Sequence, residues 1–219
     1  ASDVYKRQVY DGVVGLTQCP IAPGESYKYH FMVDEEPGTY WYHTHNDLNP
    51  SGQDFVRGPL IVHQANASLI PQTTIEDSYK IGNERILFYQ DLYPNYLGFD
   101  LPMLDGGGNV SFSDRSIEGF EIGSGLFAWA SGVLNGEVQH EIKVENGEYR
   151  FRIINGGDQF PYFFSIDGYK LTVVATDGYP VEPYETDVIQ ILLAERYDIL
   201  INFNITTPTK SVWIRAMTI

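Results

Sequence analysis

Short runs rich in β-branched and aromatic residues recur along this chain, over much of it at intervals of roughly ten residues, with turn residues between them. Helical periodicity of the apolar residues is scarce, so the pattern predicts an all-β protein. Spacing this short favours a sandwich or a barrel. The predicted strands are residues 27–33, 39–45, 60–63, 85–90, 137–144, 149–154, 162–166, 170–176, 187–193, 197–202 and 212–216.

Two segments interrupt this pattern. Residues 64–83 are polar and carry Pro71, which is typical of a linker. Residues 94–131 are rich in glycine, serine and aspartate and are predicted to form one long excursion. A chain of 219 residues accommodates one large or two modest domains, and the linker is a candidate boundary between two.

The charge of the chain excludes some classes of function. It carries 14 basic and 29 acidic residues, a formal net charge of −15, so its surface repels phosphate backbones and nucleic acid is not an expected partner. No run of about 18 apolar residues is present, so we predict no membrane span in this chain.

The segment Tyr-Trp-Tyr-His-Thr-His, residues 40–45, points to a metal site. In a strand, alternate side chains share a face, so His43 and His45 project together with Trp41 beside them. Their Cα atoms would lie roughly 6–7 Å apart, which suits two ligands of one metal cluster. Imidazole binds copper, zinc, iron and nickel, and a structural role for such a pair is the alternative.

The surrounding sequence narrows this choice. Residues 11–25 read Asp-Gly-Val-Val-Gly-Leu-Thr-Gln-Cys-Pro-Ile-Ala-Pro-Gly-Glu, residues 38–45 Gly-Thr-Tyr-Trp-Tyr-His-Thr-His and residues 57–63 Arg-Gly-Pro-Leu-Ile-Val-His. In that order they resemble the first cupredoxin domain of multicopper oxidases, the family of laccases, ascorbate oxidases and iron-oxidising relatives. Further motifs resemble the second domain of that family: Tyr-Arg-Phe-Arg-Ile-Ile-Asn at 149–155, Ser-Ile-Asp-Gly at 165–168, Thr-Asp-Gly at 176–178, Ala-Glu-Arg-Tyr-Asp at 194–198 and Val-Trp-Ile-Arg-Ala at 212–216.

This resemblance defines the expected domains. It implies two cupredoxin-like Greek-key β-sandwiches in series, the first truncated at its N-terminus. We expect residues 9–66 to be the later part of the first, 67–83 a linker and 84–219 the second. Residues 1–8 do not resemble the family and are expected to be a non-native or disordered head.

The resemblance also assigns chemical roles. It implies that His43 and His45 bind the type 3 coppers of a centre that reduces dioxygen to water, while one-electron reductants such as phenols are oxidised. Asp11 would act as a proton relay, since this reduction consumes protons. Asp158 lies close to where some fungal laccases place a carboxylate against the phenol, and Gln159 aligns about as well. A turn aspartate and a loop aspartate without a role are the respective alternatives.

Other residues bear on compartment and covalent partners. Cys19 is the only cysteine, and the resemblance implies a disulfide to a region that this chain does not contain. A buried free thiol is the alternative. Three acceptor triplets begin at Asn66, Asn109 and Asn204 and suggest a glycosylated, secreted or extracellular protein.

The remaining copper motifs of such oxidases are absent from the sequence. Cys19 has no flanking histidine, so no type 1 copper ligand set is present, and type 2 ligands are missing too. The chain is therefore expected to be an internal piece of a longer oxidase and inactive alone. An iron-oxidising member, a non-catalytic secreted cupredoxin-like protein and a cupin are the alternatives. Against the cupin, no glutamate closely follows His45.

Overall fold

The described residues of this protein are all-β, as predicted. The computed structural model describes residues 12–31, 37–43, 56–63, 83–92, 131–135, 141–157, 160–205 and 211–218, and within these ranges there is no α-helix. The strands are β1 (Gly38–His43), β2 (Arg57–Val62), β3 (Glu84–Leu92), β4 (Ser131–Leu134), β5 (Gly147–Asn155), β6 (Tyr162–Ile166), β7 (Leu171–Thr176), β8 (Tyr179–Thr186), β9 (Ile189–Ile191), β10 (Arg196–Phe203) and β11 (Ile214–Thr218).

Strands β3 to β11 form a sandwich of two sheets, here called the second sandwich because it lies in the predicted second domain. The larger sheet has the order β4-β3-β5-β10-β7-β8 and the smaller β11-β6-β9. All pairs are antiparallel except β3 with β5. The core between the sheets is apolar, with Leu87, Phe151 and Ile199 from the larger sheet and Phe164 and Ile191 from the smaller, each at most 1% exposed. This core orders the sheet on which the candidate site is built.

Strands β1 and β2 form a separate antiparallel pair against the larger sheet. Strand β1 contacts β5 and β10, and β2 contacts β3. Because Ile199 of β10 points into the core, its neighbour Asp198 faces the opposite side, toward β1. The larger sheet is therefore covered on both faces along β5 and β10.

The start of β1 lies unusually close to the turn between β7 and β8. Asp177 and Gly178 in that turn have positive φ angles of 51° and 85°. A Cβ on Gly38 would come within 2.7 Å of the Cα of Gly178, so the two backbones meet where neither glycine can be replaced without a shift.

The structure differs from the predicted strands in four places. Residues 27–31, the described part of the predicted run 27–33, are exposed and form no strand, because alternation alone supplies no hydrogen-bonded neighbour. Residues 141–144, the described part of 137–144, also form none. Strands β4 and β8 were not predicted. The head at 1–8 and all but the last residue of the linker lie outside the described residues, so the domain limits stay a prediction.

Candidate metal site

His43 is the member of the histidine pair that the structure describes. It ends β1, is exposed, and stacks on Trp41 with ring centroids 4.3 Å apart and planes 23° from parallel. Trp41 is half-buried, with its ring 6.0 Å from that of Phe88 in β3. The imidazole is thus held on a strand face by an aromatic ring that itself packs on the second sandwich. His45 lies outside the described residues, so the shared face of the pair stays a prediction.

Arg57 connects the histidine end of β1 to the second sandwich. It lies opposite His43 in the β1–β2 register, and its Nη1 donates a hydrogen bond to the carbonyl of Gly156. Gly156 in turn donates its N–H to the carbonyl of Tyr89 at 2.8 Å. A Cβ on Gly156 would overlap the ring of Phe88, so glycine permits this close approach. The end of β5 is therefore joined to β2 at the residue that pairs with His43.

Asn155 fixes the chain on both sides of the candidate substrate aspartate. Its side chain is 1% exposed; Nδ2 donates to the carbonyls of Phe160 at 3.1 Å and Ile191 at 3.3 Å, and Oδ1 accepts the N–H of Gly157 at 3.0 Å. Asp158 itself lies outside the described residues. This role of Asn155 was not predicted from the sequence, although an asparagine between a buried strand and Gly-Gly is a turn signal.

A buried polar group, here called the Thr39 cluster, joins β1 to β3, β5 and β10. Its members are Thr39, Glu84, Arg150, Arg152 and Asp198. The Oγ1 of Thr39 donates to Oδ1 of Asp198 at 2.6 Å and accepts from Nη1 of Arg152 at 2.9 Å. Oδ2 of Asp198 accepts from Nε of Arg150 at 3.1 Å, from its Nη2, and from Nη1 of Arg152 at 3.2 Å.

The charges of the Thr39 cluster balance. Arg152 also donates through Nη2 to Oε1 of Glu84 at 2.6 Å, so two guanidinium groups face two carboxylates. Thr39, Arg150, Arg152 and Asp198 are each at most 1% exposed. Buried charges are tolerated only when they are paired and hydrogen-bonded, which is what this arrangement supplies.

Arg196 holds the backbone of β1 beside this cluster. Its Nε donates to the carbonyl of Thr39 at 3.1 Å, and its Nη2 donates to the carbonyl of Asp177 at 2.9 Å. Its guanidinium carbon lies 5.6 Å from the ring centroid of Tyr40. Side chain and main chain of Thr39 are therefore both fixed by β10.

One exposed side chain among the described residues has the chemistry of a metal ligand. An exposed imidazole on an ordered strand is a suitable copper ligand, and His43 provides one. Within the described ranges, no three His, Cys, Asp or Glu side chains lie together. The copper ligation by His43 and His45 therefore stays a prediction.

The other predicted site residues fall into two groups. Asp11, Asn66 and Asn109 lie outside the described residues. Asn204 is exposed just after β10, and Cys19 is an exposed free thiol, so its predicted disulfide and the glycosylation of Asn204 stay predictions. In the part of the chain that is described, no helix is long and apolar enough to cross a membrane.

Comparison with known proteins supports one family. Two profiles described as multicopper oxidase match residues 2–67 and 123–219. Laccase-1 of Thanatephorus cucumeris is 33% identical over 208 residues, which are 94% of this chain and 34% of the relative. This chain thus spans about a third of the length of that curated relative.

Solved structures of multicopper oxidases are also similar to this chain. The crystal structure of Fet3p, a multicopper oxidase that functions in iron import, matches 96% of this chain and 35% of its own with a TM-score of 0.68 at 28% identity. The laccase from Botrytis aclada matches 95% of this chain and 36% of its own with a TM-score of 0.61 at 30% identity. The cupredoxin-like fold class is thereby confirmed. The chain belongs to the multicopper oxidase family.

Proposed function

We propose that this chain contributes His43 and His45 to the copper centre of an oxidase that couples one-electron oxidation of phenols or similar reductants to four-electron reduction of dioxygen to water. The observation that carries the proposal is the position of His43, an exposed imidazole at the end of a strand seated on the second sandwich. The family membership of the chain supports it.

Each residue has a defined task in this proposal. Copper, when bound, supplies the one-electron steps. His43 and His45 provide neutral nitrogen ligands, and the Trp41 ring limits rotation of the His43 imidazole. Asp11 hands protons toward the site of oxygen reduction, and Asp158 accepts the proton that a phenol loses on oxidation.

Iron oxidation is the second candidate. The iron-import oxidase matches this chain with a higher TM-score than the Botrytis laccase, 0.68 against 0.61. The net charge of −15 also attracts a ferrous cation.

Single histidine variants of the complete protein test the proposal. His43→Ala and His45→Ala should abolish the near-ultraviolet copper absorption and reduce oxygen consumption by more than the about 10–100-fold typical of residues that only orient a ligand. His63→Ala is the matched control, because His63 is an exposed histidine just beyond the opposite end of the β1–β2 pair. Equal losses in all three variants, or none in any, would refute the proposal.

The choice of reductant decides between the candidates. Oxygen consumption is measured with a phenol, ferrous iron and ascorbate. A kcat/KM for the phenol well above that for iron favours the first candidate, and the reverse favours the second. A complete protein that binds no copper would instead be the non-catalytic cupredoxin-like protein.

We also propose that the protein is secreted and glycosylated. The exposure of Asn204 next to a strand end supports this, since an acceptor asparagine must be accessible. Protein from the native source should lose mass on treatment with an endoglycosidase, and Asn204→Gln should remove one glycan. A native protein that carries no glycan at any of the three triplets would contradict the proposal.

A further inference from the structure

Two motifs of the second sandwich have no part in the proposed chemistry, yet their charged residues converge on β1. Arg150 and Arg152 come from Tyr-Arg-Phe-Arg in β5, and Arg196 and Asp198 come from Ala-Glu-Arg-Tyr-Asp at the start of β10. Arg152, Arg196 and Asp198 hydrogen-bond directly to Thr39, and Arg150 binds the same carboxylate. Four charged residues of the second sandwich thus surround a single residue, Thr39, of the β1–β2 pair.

We propose that Thr39 is a positioning residue through which the second sandwich sets the position of His43. Thr39, Trp41 and His43 share one face of β1, because alternate strand residues do. Thr39 contacts β5 and β10, and Trp41 packs near Phe88 of β3. The strand is thereby laid across the larger sheet, with its histidine end about 13 Å from Thr39.

The chemistry of the contact requires a hydroxyl. Oγ1 of Thr39 is a donor to Asp198 and an acceptor from Arg152 at the same time. Valine has the same shape but can do neither, so it leaves a carboxylate oxygen and a guanidinium N–H each short of one partner at a site that water does not reach. Serine keeps both functions.

The seating of β1 does not depend on copper. The role of His43 as a copper ligand rests on the function proposed above. The first measurement therefore does not depend on copper. Amide hydrogen exchange of residues 38–43 in this 219-residue chain reports on β1 alone, and exchange at Phe151 and Ile199 reports on the intact core.

Thr39→Val should raise exchange in β1 by at least about tenfold, because two hydrogen bonds to charged groups are lost. Thr39→Ser should exchange like the wild type. Thr186→Val is the matched control, since the Thr186 hydroxyl also donates and accepts, at 2.8 and 3.3 Å, but within its own turn at Val188. It should leave β1 unchanged.

A second variant guards against loss of the whole fold. Arg196→Lys keeps the charge but removes the Nε that donates to the Thr39 carbonyl, so it should raise exchange in β1 while Phe151 and Ile199 stay protected. If Thr39→Val exposes the core amides too, Arg196→Lys decides. The proposal is overturned if a variant whose core amides stay protected exchanges the β1 amides at the wild-type rate.

The copper readout separates this inference from the proposed function. In the complete protein, Thr39→Val should weaken the near-ultraviolet band, and Thr39→Ser should restore it. If His43→Ala abolishes the band and Thr39→Val leaves it at full strength, positioning through Thr39 is wrong and the function stands. If His43→Ala leaves the band intact, the proposed function fails. Amide hydrogen exchange then still tests whether Thr39 holds β1 in place.

Discussion

Asp198→Asn is the most direct perturbation of the Thr39 cluster. The Asp198 carboxylate accepts hydrogen bonds from Thr39, Arg150 and Arg152, and both arginines are at most 1% exposed. Asparagine keeps the size but removes the charge and presents an N–H group to a guanidinium. Removing one partner of a buried ion pair costs about 3–5 kcal/mol, out of a stability of about 5–15 kcal/mol for a typical domain.

Urea denaturation of the chain at neutral pH measures this loss. With a slope of about 1–3 kcal/mol per molar urea, the midpoint should fall by about 2 M. Asp167→Asn is the matched control, because Asp167 binds Arg215 through two hydrogen bonds of 2.7 Å but the pair is 41% and 47% exposed. Its midpoint should move far less. Equal shifts in the two variants would mean that burial of the cluster contributes nothing.

Gly178→Ala should lower the free energy of unfolding by about 2–3 kcal/mol, from a positive φ plus a Cβ only 2.7 Å from a tyrosine ring of β1. Gly168→Ala, with φ of 80° and open space, should cost only about 1 kcal/mol, and equal thermal shifts would contradict the steric reason. Burial raises the pKa of Tyr89, so the stability it contributes is full below the ordinary tyrosine pKa and is lost as pH rises above it. Tyr89→Phe should therefore flatten the alkaline fall in urea midpoint above about pH 10, and an unchanged slope there would refute this. The side-chain hydrogen bond from Arg215 lowers the pKa of Asp167, so Arg215→Gln should raise that pKa in an NMR titration of the carboxyl carbon. An unchanged pKa in this variant would show that solvent screens the pair.

Strands of the second sandwich were predictable because each carries its own pattern. Strand β6 has its predicted limits, and β5, β7 and β10 begin and end within two residues of theirs. Strand β8 was missed because Pro180 and Pro183 argue against a strand. Among the described strands it lies at the edge of the larger sheet and pairs with β7 alone, where a missing N–H donor is tolerated.

The candidate site was predictable only where its signal is local. The histidine pair was predicted from the spacing of residues 43 and 45 alone, and of the two His43 is described, at the end of β1. The Thr39 cluster is not, because Thr39 is 113 residues from Arg152 and 159 from Asp198. Arginines that alternate with aromatic residues are also typical of a half-exposed strand, so their burial follows from the packing of β1 and not from β5 itself.

The 159-residue separation of Thr39 and Asp198 has a consequence for biosynthesis. At the usual rate of about 5–20 residues per second, a ribosome needs about 8–30 s to proceed from one to the other. Over that interval the nascent β1 lacks the Asp198 carboxylate that binds both Thr39 and the two arginines of β5, and its aromatic side chains are open to chaperones. Metal delivered during this interval would meet histidines whose supporting sheet is not yet complete.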